Sequence, residues 1–488
     1  MQIMPLEHGS SRKAVRMKAV DCQGLGGGMT LGMVQAGFEI VEKHEQPGGF
    51  GFAQHADNAH LLGTYPMRDE VPEAWSTPDD RADLVFGCPP CSGFSALSVR
   101  AGGRDMRSPE ASINHCMWDF WRYAARVDPQ VIAMESVPQA GKMGITLMRA
   151  LHRELMTITG HGWYLSHVFH NNLSVGGGSQ RPRYFLVATA DRPFGITSPL
   201  ISRVPALHDV IGDLAKLPLT MDDQPRLDTG DTWWRIRKTR ADGLVSGHGL
   251  PDSGRRQHLI KGICESGWRQ GEMMIVAVER FWHETGGKIS DDGCEIISEG
   301  QWPDGFTDVE KRSMLYRPVE KRPDFEAVQR GEMSEQDYLT KWRGHQMPHS
   351  APHAFVADMY QPSRWYDDRP ARVFNGGSMS GPTHPTENRT FTYREAARIM
   401  GFPDAWNVGS YVGQEATFGK AVSVDAAYWL GHHLAQHIDG ATDVWTGDEV
   451  TDEGSWLARK IDTTNDWQSA LDDKRGEARR KLMAARPA

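Results

Sequence analysis

Short apolar runs alternate with stretches of helical periodicity along the first 190 positions of the chain. Runs of three to five residues bounded by turn residues predict strands that are buried on both faces of a parallel sheet. These runs lie at 19–21, 38–41, 83–86, 131–134, 162–166 and 184–188. Helical periodicity follows at 29–36, 117–126 and 144–159. Strand and helix alternating in this order indicate a doubly wound α/β fold.

The alternation stops at about residue 191 and returns after residue 385. The intervening stretch is irregular and rich in Trp, Gly, Asp, Arg and His. Segments that mix aromatic rings with cations lie at 233–240, 341–343 and 364–366. Such mixtures are typical of nucleic-acid-binding surfaces, and they also occur on exposed loops with incidental charge. Helices are predicted again at 392–400 and 419–438, and a polar tail with mixed charges follows.

Composition restricts the class of protein without naming one. The 488 residues are 39% hydrophobic and 24% charged, which is typical of a soluble globular protein with two or three domains. No apolar run is long enough to cross a membrane, and no apolar segment follows the basic N-terminus as in a signal peptide. Six irregularly spaced cysteines favour a reducing, cytoplasmic setting. The net charge of -9 neither indicates nor excludes a nucleic-acid partner.

The loop from Gly87 to Ser95 carries two thiols, Cys88 and Cys91, directly after a predicted buried strand. In doubly wound folds, chemistry gathers beyond the carboxyl ends of the strands. A cysteine held there beside two prolines is a candidate nucleophile. Three other interpretations compete: a redox pair, half of a zinc site, or ordinary small buried residues.

A second candidate site is the glycine-rich turn 24–28, which lies between a predicted strand and a predicted helix. Glycines let the backbone approach a ligand closely at a helix N-terminus, so this order is typical of a nucleotide-binding turn. Glu42 and Glu45 lie near the end of the next strand, where a carboxylate commonly binds ribose hydroxyls. A solvated surface acid is the alternative for either of them.

Three more charged residues lie at predicted strand ends. Glu135 ends the strand 131–134, and Arg181 and Arg183 precede the strand 184–188. The arginines are either surface charges or groups that hold a carboxylate, a phosphate or a base edge. The spacing of the remaining His and Cys residues fits no standard zinc site, so no metal is predicted; the residues considered were His258, Cys264, His283 and Cys294.

The order of these motifs resembles that of the DNA cytosine-5 methyltransferases, over about residues 1–190 and 372–438. The matching segments are Gly24-Leu25-Gly26-Gly27, Pro89-Pro90-Cys91-Ser92-Gly93-Phe94-Ser95, Glu135-Ser136-Val137, Arg181-Pro182-Arg183, Arg394-Glu395-Ala396-Ala397-Arg398 with Phe402-Pro403-Asp404, and Gly419-Lys420-Ala421-Val422. The resemblance skips most of the irregular middle, where that family has its variable target-recognition domain. It implies a Rossmann-like methyltransferase domain and a smaller recognition domain. The implied divisions are 1–190 catalytic, 191–384 target recognition, 385–440 completing the catalytic domain, and 441–488 a polar tail.

The resemblance also implies the reaction, which is transfer of a methyl group from S-adenosylmethionine to C5 of a cytosine flipped out of double-stranded DNA. Cys91 is then the thiolate that attacks C6, and Glu135 the acid that offsets charge near N3. Arg181 and Arg183 are expected to hold the base carbonyl and orient Glu135. The expected cofactor-binding residues are Cys22, Gln23, Gly24, Gly26, Gly27, Glu42, Glu45, Pro90, Ala421 and Val422. A monomer that modifies DNA, as in restriction-modification systems, is the expected form.

Several positions depart from the family pattern. With the glycines matched, Cys22 replaces a phenylalanine expected beside the adenosine, and Val20 falls where an aspartate is usual. Lys420 and Ala421 replace an Asn-Ser pair. Three alternatives therefore stay open: an RNA acceptor, a modified donor, or a DNA-binding relative without activity.

Overall fold

The strand ends that carry the candidate residues meet at one edge of a large central sheet. The computed structural model describes residues 17–24, 26–45, 51–70, 75–79, 81–94, 111, 114–197, 203–217, 254–272, 274–289, 296–306, 327, 331–332, 363–373, 382–408, 418–441, 448–451 and 457–462. The strands are β1 (Lys18–Cys22), β2 (Glu39–Glu45), β3 (Met67–Asp69), β4 (Leu84–Gly87), β5 (Val131–Ser136), β6 (Tyr164–Asn171), β7 (Pro182–Thr189), β8 (Lys288–Ile289), β9 (Ile296–Ser298), β10 (Ser363–Arg364), β11 (Pro382–Thr383), β12 (Asp448–Thr451) and β13 (Leu457–Asp462).

The described α-helices are α1 (Gly28–Gln35), α2 (Gly51–Asp57), α3 (Ala59–Leu62), α4 (His115–Val127), α5 (Pro138–Met143), α6 (Ile145–Thr159), α7 (Leu207–Ile211), α8 (Gly254–Glu265), α9 (Met274–Glu284), α10 (Tyr393–Ile399) and α11 (Val424–Ile438). Short 3-10 helices span Ser92–Phe94, Asn172–Val175 and Leu214–Lys216. The helices predicted at 29–36, 117–126, 144–159 and 392–400 are confirmed. The helix predicted from residue 419 begins five residues later, at Val424.

Nine of the described strands form one sheet in the order β12-β13-β6-β7-β5-β4-β1-β2-β3. Strands β1, β2, β4 and β5 run parallel, so their carboxyl ends lie at the same edge. Strand β7 runs antiparallel to β5 and β6, which brings its first residues to that edge as well. The predicted doubly wound α/β fold is confirmed, with β7 and the edge strand β12 as the reversed strands of the described sheet.

Alternate residues of the central strands enter two different cores. On one face, Val85 and Ile132 pack with residues of α4 and α6, such as Phe120 and Leu151. On the other face the neighbouring strand residues Leu84, Phe86, Val131 and Ala133 pack with Met29 of α1 and Leu430 of α11. This two-sided burial explains why the strands are continuous apolar runs rather than alternating ones.

Helices α1 and α11 pack closely because glycines lie at the contact. A Cβ on Gly32 would lie 2.4 Å from the Cβ of Ala427, and one on Gly431 would lie 2.9 Å from Ala36. The segment after residue 385 therefore packs against the first helix of the chain. Two further cores lie outside the sheet: one around α10 with Phe391 and Trp406, and one between α8 and α9.

Candidate active site

The two thiols of the Gly87–Ser95 loop enter opposite sides of the sheet. Cys88 Sγ donates to Met29 Sδ at 3.3 Å and packs with the α1 face. Cys91 is partly buried and packs against the α4 face. Because the thiols diverge, the structure does not favour the redox-pair interpretation, and Cys88 has a packing role. Among the described residues, no group of three His, Cys, Asp or Glu side chains is arranged to hold a metal ion.

Glu135 and Arg183 lie beside Cys91 at the end of the sheet. Glu135 is 5% exposed, and its Oε1 lies 2.6 Å from Arg183 Nε. Burial raises the pKa of Glu135 above its usual value, although the charges of Arg183 and Arg181 partly oppose the shift. Burial and the Glu135 charge also raise the pKa of Cys91, while a hydrogen bond from the Val137 backbone and the Arg183 charge lower it. The three side chains thus form one coupled group.

Arg181 is buried, and its guanidinium crosses to the C-terminal segment. Its Nη2 donates to the carbonyl oxygens of Gly419 at 2.8 Å and Ala421 at 2.6 Å. The structure therefore joins two predicted motifs, the paired arginines and the Gly419–Val422 segment, by direct hydrogen bonds. The base-holding role expected of Arg181 stays a prediction, whereas Arg183 lies against Glu135 as an orienting group would.

The glycine turn lies between the end of β1 and the start of α1, and its last glycine touches the C-terminal segment. Gln23 precedes it in the left-handed conformation, with φ of 60°. A Cβ on Gly28 would lie 2.1 Å from the Val422 carbonyl oxygen, so only glycine fits there. Ala421 and Val422 are both buried beside the turn. The predicted completion of this pocket by the C-terminal motif agrees with these contacts.

The two acids offered by the sequence lie in different surroundings. Glu45 lies 2.8 Å from the ammonium of Lys43, on the same carboxyl-end edge as the glycine turn. Glu42 instead pairs with Arg68, and its carboxylate lies 3.8 Å from His44 Nε2. Of the two, Glu45 has the better position for a ribose contact.

The other residues expected to bind the cofactor differ in their burial. Cys22 is fully buried in the core on the α4 face, and burial raises the pKa of its thiol. Pro90 is exposed in the thiol loop. Gly26 and Gly27 are buried, and a Cβ on Gly27 would lie 2.7 Å from Trp406 and 3.4 Å from His55.

Sequence reasoning missed an acid at the glycine turn. The Asp21 side chain is fully buried, and its carboxylate oxygens lie within 2.6 Å of a Cβ built on Gly24. Only residues 24–27 fit the Gly-x-Gly-Gly pattern, so Val20 stays at the position where an aspartate is usual in a match without gaps. Asp21 is the next residue along the strand, and its carboxylate lies against the turn.

The aromatic and basic segments of the middle region are partly packed inside the protein. Arg364 donates to the Pro385 carbonyl and to Cys264 Sγ, and Trp365 is buried against Phe391. Residues 364–365 thus act in packing, which fits neither an exposed nucleic-acid-binding surface nor an exposed loop with incidental charge. The clusters at 233–240 and 341–343 lie outside the described residues.

Comparison with known proteins decides the family. The model of the C-5 cytosine-specific DNA methylases matches residues 20–436. This chain belongs to that family. It is 22% identical to the type II methyltransferase M.DdeI of Desulfomicrobium norvegicum, over 79% of this chain and 75% of M.DdeI. Over 57 residues it is 42% identical to M.Sau96I of Staphylococcus aureus, covering 12% of this chain and 13% of M.Sau96I.

A solved structure of a prophage-encoded DNA modification methyltransferase from E. coli has the same fold. It aligns with a TM-score of 0.52 at 16% identity, over 87% of this chain and 99% of the other. The structure of this C-5 cytosine-specific DNA methylase therefore has the Rossmann-like fold with its C-terminal return. None of the described helices is long and apolar enough to cross a membrane.

Methyltransferases of this kind use S-adenosylmethionine, and the pocket at the glycine turn fits such a group. Both amide atoms of the Gln23 side chain and Oδ1 of Asp21 are buried without a partner among the described residues. Buried polar atoms are normally paired, so these atoms mark a place where a polar ligand binds. Glu45 adds a carboxylate at the same edge. The oxygens of Asp21, Glu45 and Gln23 can accept from the hydroxyl and ammonium groups of such a molecule, and Gln23 Nε2 can donate to one of its acceptors.

Proposed function

We propose that this protein transfers a methyl group from S-adenosylmethionine to C5 of a cytosine flipped out of double-stranded DNA. The observation that carries the proposal is the grouping of Cys91, Glu135 and Arg183 at the sheet edge that also holds the glycine turn. A thiol beside a buried acid that is paired with a guanidinium is the set of groups that this reaction needs, and the family is one of cytosine-5 methylases.

Cytosine C5 is a weak nucleophile, so the ring must first become electron-rich. Addition of the Cys91 thiolate to C6 achieves this through a covalent bond. The charge that enters the ring is offset when Glu135, as a carboxylic acid, donates a hydrogen bond at N3. Burial supports that role, because it raises the pKa of Glu135 and favours the protonated form.

Arg183 orients Glu135. Its positive charge also offsets part of the free-energy cost of a buried Cys91 thiolate. Its guanidinium lowers the pKa of both groups. When a cytosine enters and excludes water, this positive charge stabilises the thiolate at the moment of attack. Since C6 is shielded inside a duplex, the base has to leave the stack before Cys91 can reach it.

S-adenosylmethionine supplies an electrophilic methyl group when it is bound beside this site. Gln23, Asp21 and Glu45 are the residues that would hold its polar parts, and Gly24 lets the backbone come close. After C5 has taken the methyl group, loss of the C5 proton and release of Cys91 restore the free enzyme.

The test is mass spectrometry of nucleosides from duplex DNA that has been incubated with the protein and S-adenosylmethionine. We expect 5-methylcytosine with the wild type and none with Cys91→Ala. Cys88→Ala is the matched control, because this thiol of the same loop packs against Met29 and should retain activity.

Other results would point to the alternatives. A modified cytosine of different mass would indicate a modified donor, and methylation of RNA alone would indicate an RNA acceptor. Duplex binding without any modified base, in the presence of bound S-adenosylmethionine, would contradict the proposal and favour a DNA-binding relative without activity.

A further inference from the structure

A buried lysine lies between the two carboxylates at the glycine turn. Lys43 Nζ lies 2.8 Å from Asp21 Oδ2 and 2.8 Å from Glu45 Oε1. All three side chains are at most 3% exposed. Asp21 and Lys43 are neighbours in the register of β1 and β2, so the backbone pairing itself holds them together. Thr30 at the start of α1 donates a further hydrogen bond to Asp21 at 2.6 Å.

The charges of this cluster depend on each other. Burial alone would lower the pKa of Lys43, but the charges of Asp21 and Glu45 outweigh it and raise that pKa above the usual value. The lysine is therefore an ammonium, and it offsets one of two carboxylate charges. Without it, two neighbouring buried carboxylates would repel each other, and at least one would take up a proton.

The cluster also faces the donor site. Asp21 Oδ2 is fully engaged by Lys43 and Thr30, whereas Oδ1 lies against Gly24 without a partner among the described residues. An acceptor that is wholly buried and aimed at the glycine turn points to a ligand there. Lys43 thus fixes which carboxylate oxygen turns toward the pocket.

We propose that Lys43 is a positioning residue that bridges the carboxylates of Asp21 and Glu45 and orients them for the polar parts of the methyl donor. The inference rests on the proposed function, since it takes the glycine turn as the donor site. Lys43 does not touch the reacting atoms. It acts through the two acids, and its loss affects donor binding rather than the thiol chemistry at Cys91.

The experiment measures binding of S-adenosylhomocysteine by calorimetry between pH 6 and 9. In Lys43→Met we expect the dissociation constant to rise by about tenfold or more at pH 6 and to recover as the pH rises. The sign follows because two neighbouring buried carboxylates without an ammonium between them share a proton, which they lose only as the pH rises. The wild type should show no such recovery. Among the described residues, the other titratable groups that interact with Lys43 are His44, His55, Tyr65, Cys22 and Cys88.

Two further variants separate positioning from stability. Arg280→Met removes an ion pair to Glu272 in the middle region, so it should lower Tm without changing the dissociation constant at any pH. The double variant Asp21→Asn/Lys43→Met has the same net charge as the wild type. We expect it to fold even if the single variant Lys43→Met does not. It should still bind S-adenosylhomocysteine at least about tenfold more weakly, because the Lys43 ammonium no longer orients Glu45.

The outcomes are distinct. Wild-type affinity in Lys43→Met or in the double variant would overturn the positioning role, as would weaker binding that does not change with pH in Lys43→Met. A wild-type protein that binds neither S-adenosylhomocysteine nor S-adenosylmethionine would instead contradict the proposed function, whatever the variants do. Retained methyl transfer at saturating donor, with a raised KM only, would support positioning over a catalytic role.

Discussion

Replacing Arg181 by methionine should destabilise the protein and weaken donor binding together. The side chain is 1% exposed and donates to two carbonyl oxygens of the C-terminal segment, Gly419 O and Ala421 O. Methionine has a similar length and fills part of the space, but it donates no hydrogen bond. Both carbonyl oxygens would lose their bonds to Arg181 in the interior.

The expected magnitude follows from these two bonds. A hydrogen bond from a charged donor contributes roughly 1.5–3 kcal/mol, and the loss of one buried partner has a further desolvation cost. We therefore expect the free energy of unfolding to fall by about 3–5 kcal/mol. If residues 1–190 and 385–440 unfold together as a unit of about 250 residues, 3 kcal/mol corresponds to a decrease in Tm of about 6 °C.

Thermal unfolding and calorimetric titration with S-adenosylhomocysteine measure the two effects. Arg183→Met is the matched comparison, because that side chain is two residues away and pairs with Glu135 rather than with the C-terminal segment. It should reduce turnover strongly with a smaller change in Tm. The reasoning would be refuted if Arg181→Met abolished turnover with Tm and donor affinity unchanged, since Arg181 would then act on the base.

Three other predictions follow from single contacts. Glu135→Gln should lower kcat by about a hundredfold and remove the decline of the rate at alkaline pH. In the wild type this decline follows because the acid loses its proton as the pH rises through its raised pKa. An unchanged decline in the variant would show that another group causes it. Arg389→Met should lower the free energy of unfolding, measured in urea, by about 3–5 kcal/mol, because Arg389 donates two hydrogen bonds to buried Glu395. The pKa of Glu395 is lowered because these bonds outweigh burial, so the pair's contribution should be present near neutral pH and lost as the pH falls through that lowered value; equal urea stability of wild type and variant at pH 7 would argue against it. Gly32→Ala should lower the free energy of unfolding by about 1–3 kcal/mol, because the added Cβ would lie 2.4 Å from the Cβ of Ala427. This cost outweighs the higher helix propensity of alanine. A more stable variant would show that α1 and α11 can move apart.

The sequence predicts the central strands well because their signal is local. Each of β4, β5 and β7 is a continuous apolar run, and burial on both faces requires that. The strands β12 and β13 were not predicted, and they lie within the polar tail. Sequences such as Leu457-Ala458-Arg459-Lys460 lack the apolar run, and their pairing with β6 depends on backbone hydrogen bonds that no side-chain pattern shows.

The site was predicted only in part, for a similar reason. The resemblance implied that Cys91, Glu135 and Arg183 belong to one catalytic site, and the structure brings these residues together. It did not indicate that Arg181 binds the carbonyls of Gly419 and Ala421, since backbone acceptors have no sequence signature. The position of Lys43 was not predicted, because a lone lysine in a predicted strand is ordinarily an exposed surface charge. Only the register of β1 and β2 shows that it lies between two acids.

The contacts between the two flanks of the chain explain how residues 191–384 can lie between them in the sequence. Arg181 reaches Gly419, Gly28 touches Val422, and Ser423 donates to Asn172 at 2.6 Å. Each of these contacts joins the first 190 residues directly to the segment after residue 385, without a residue from between. The contacts of Arg181 and of the glycine turn therefore depend on the return of the chain after residue 385. Gln180, next to Arg181, also donates its backbone N–H to the Ala371 carbonyl oxygen at 2.7 Å, so the end of the intervening region packs at the same place. Loop closure costs rise only slowly with length, so this arrangement allows a long connection between residues 190 and 371.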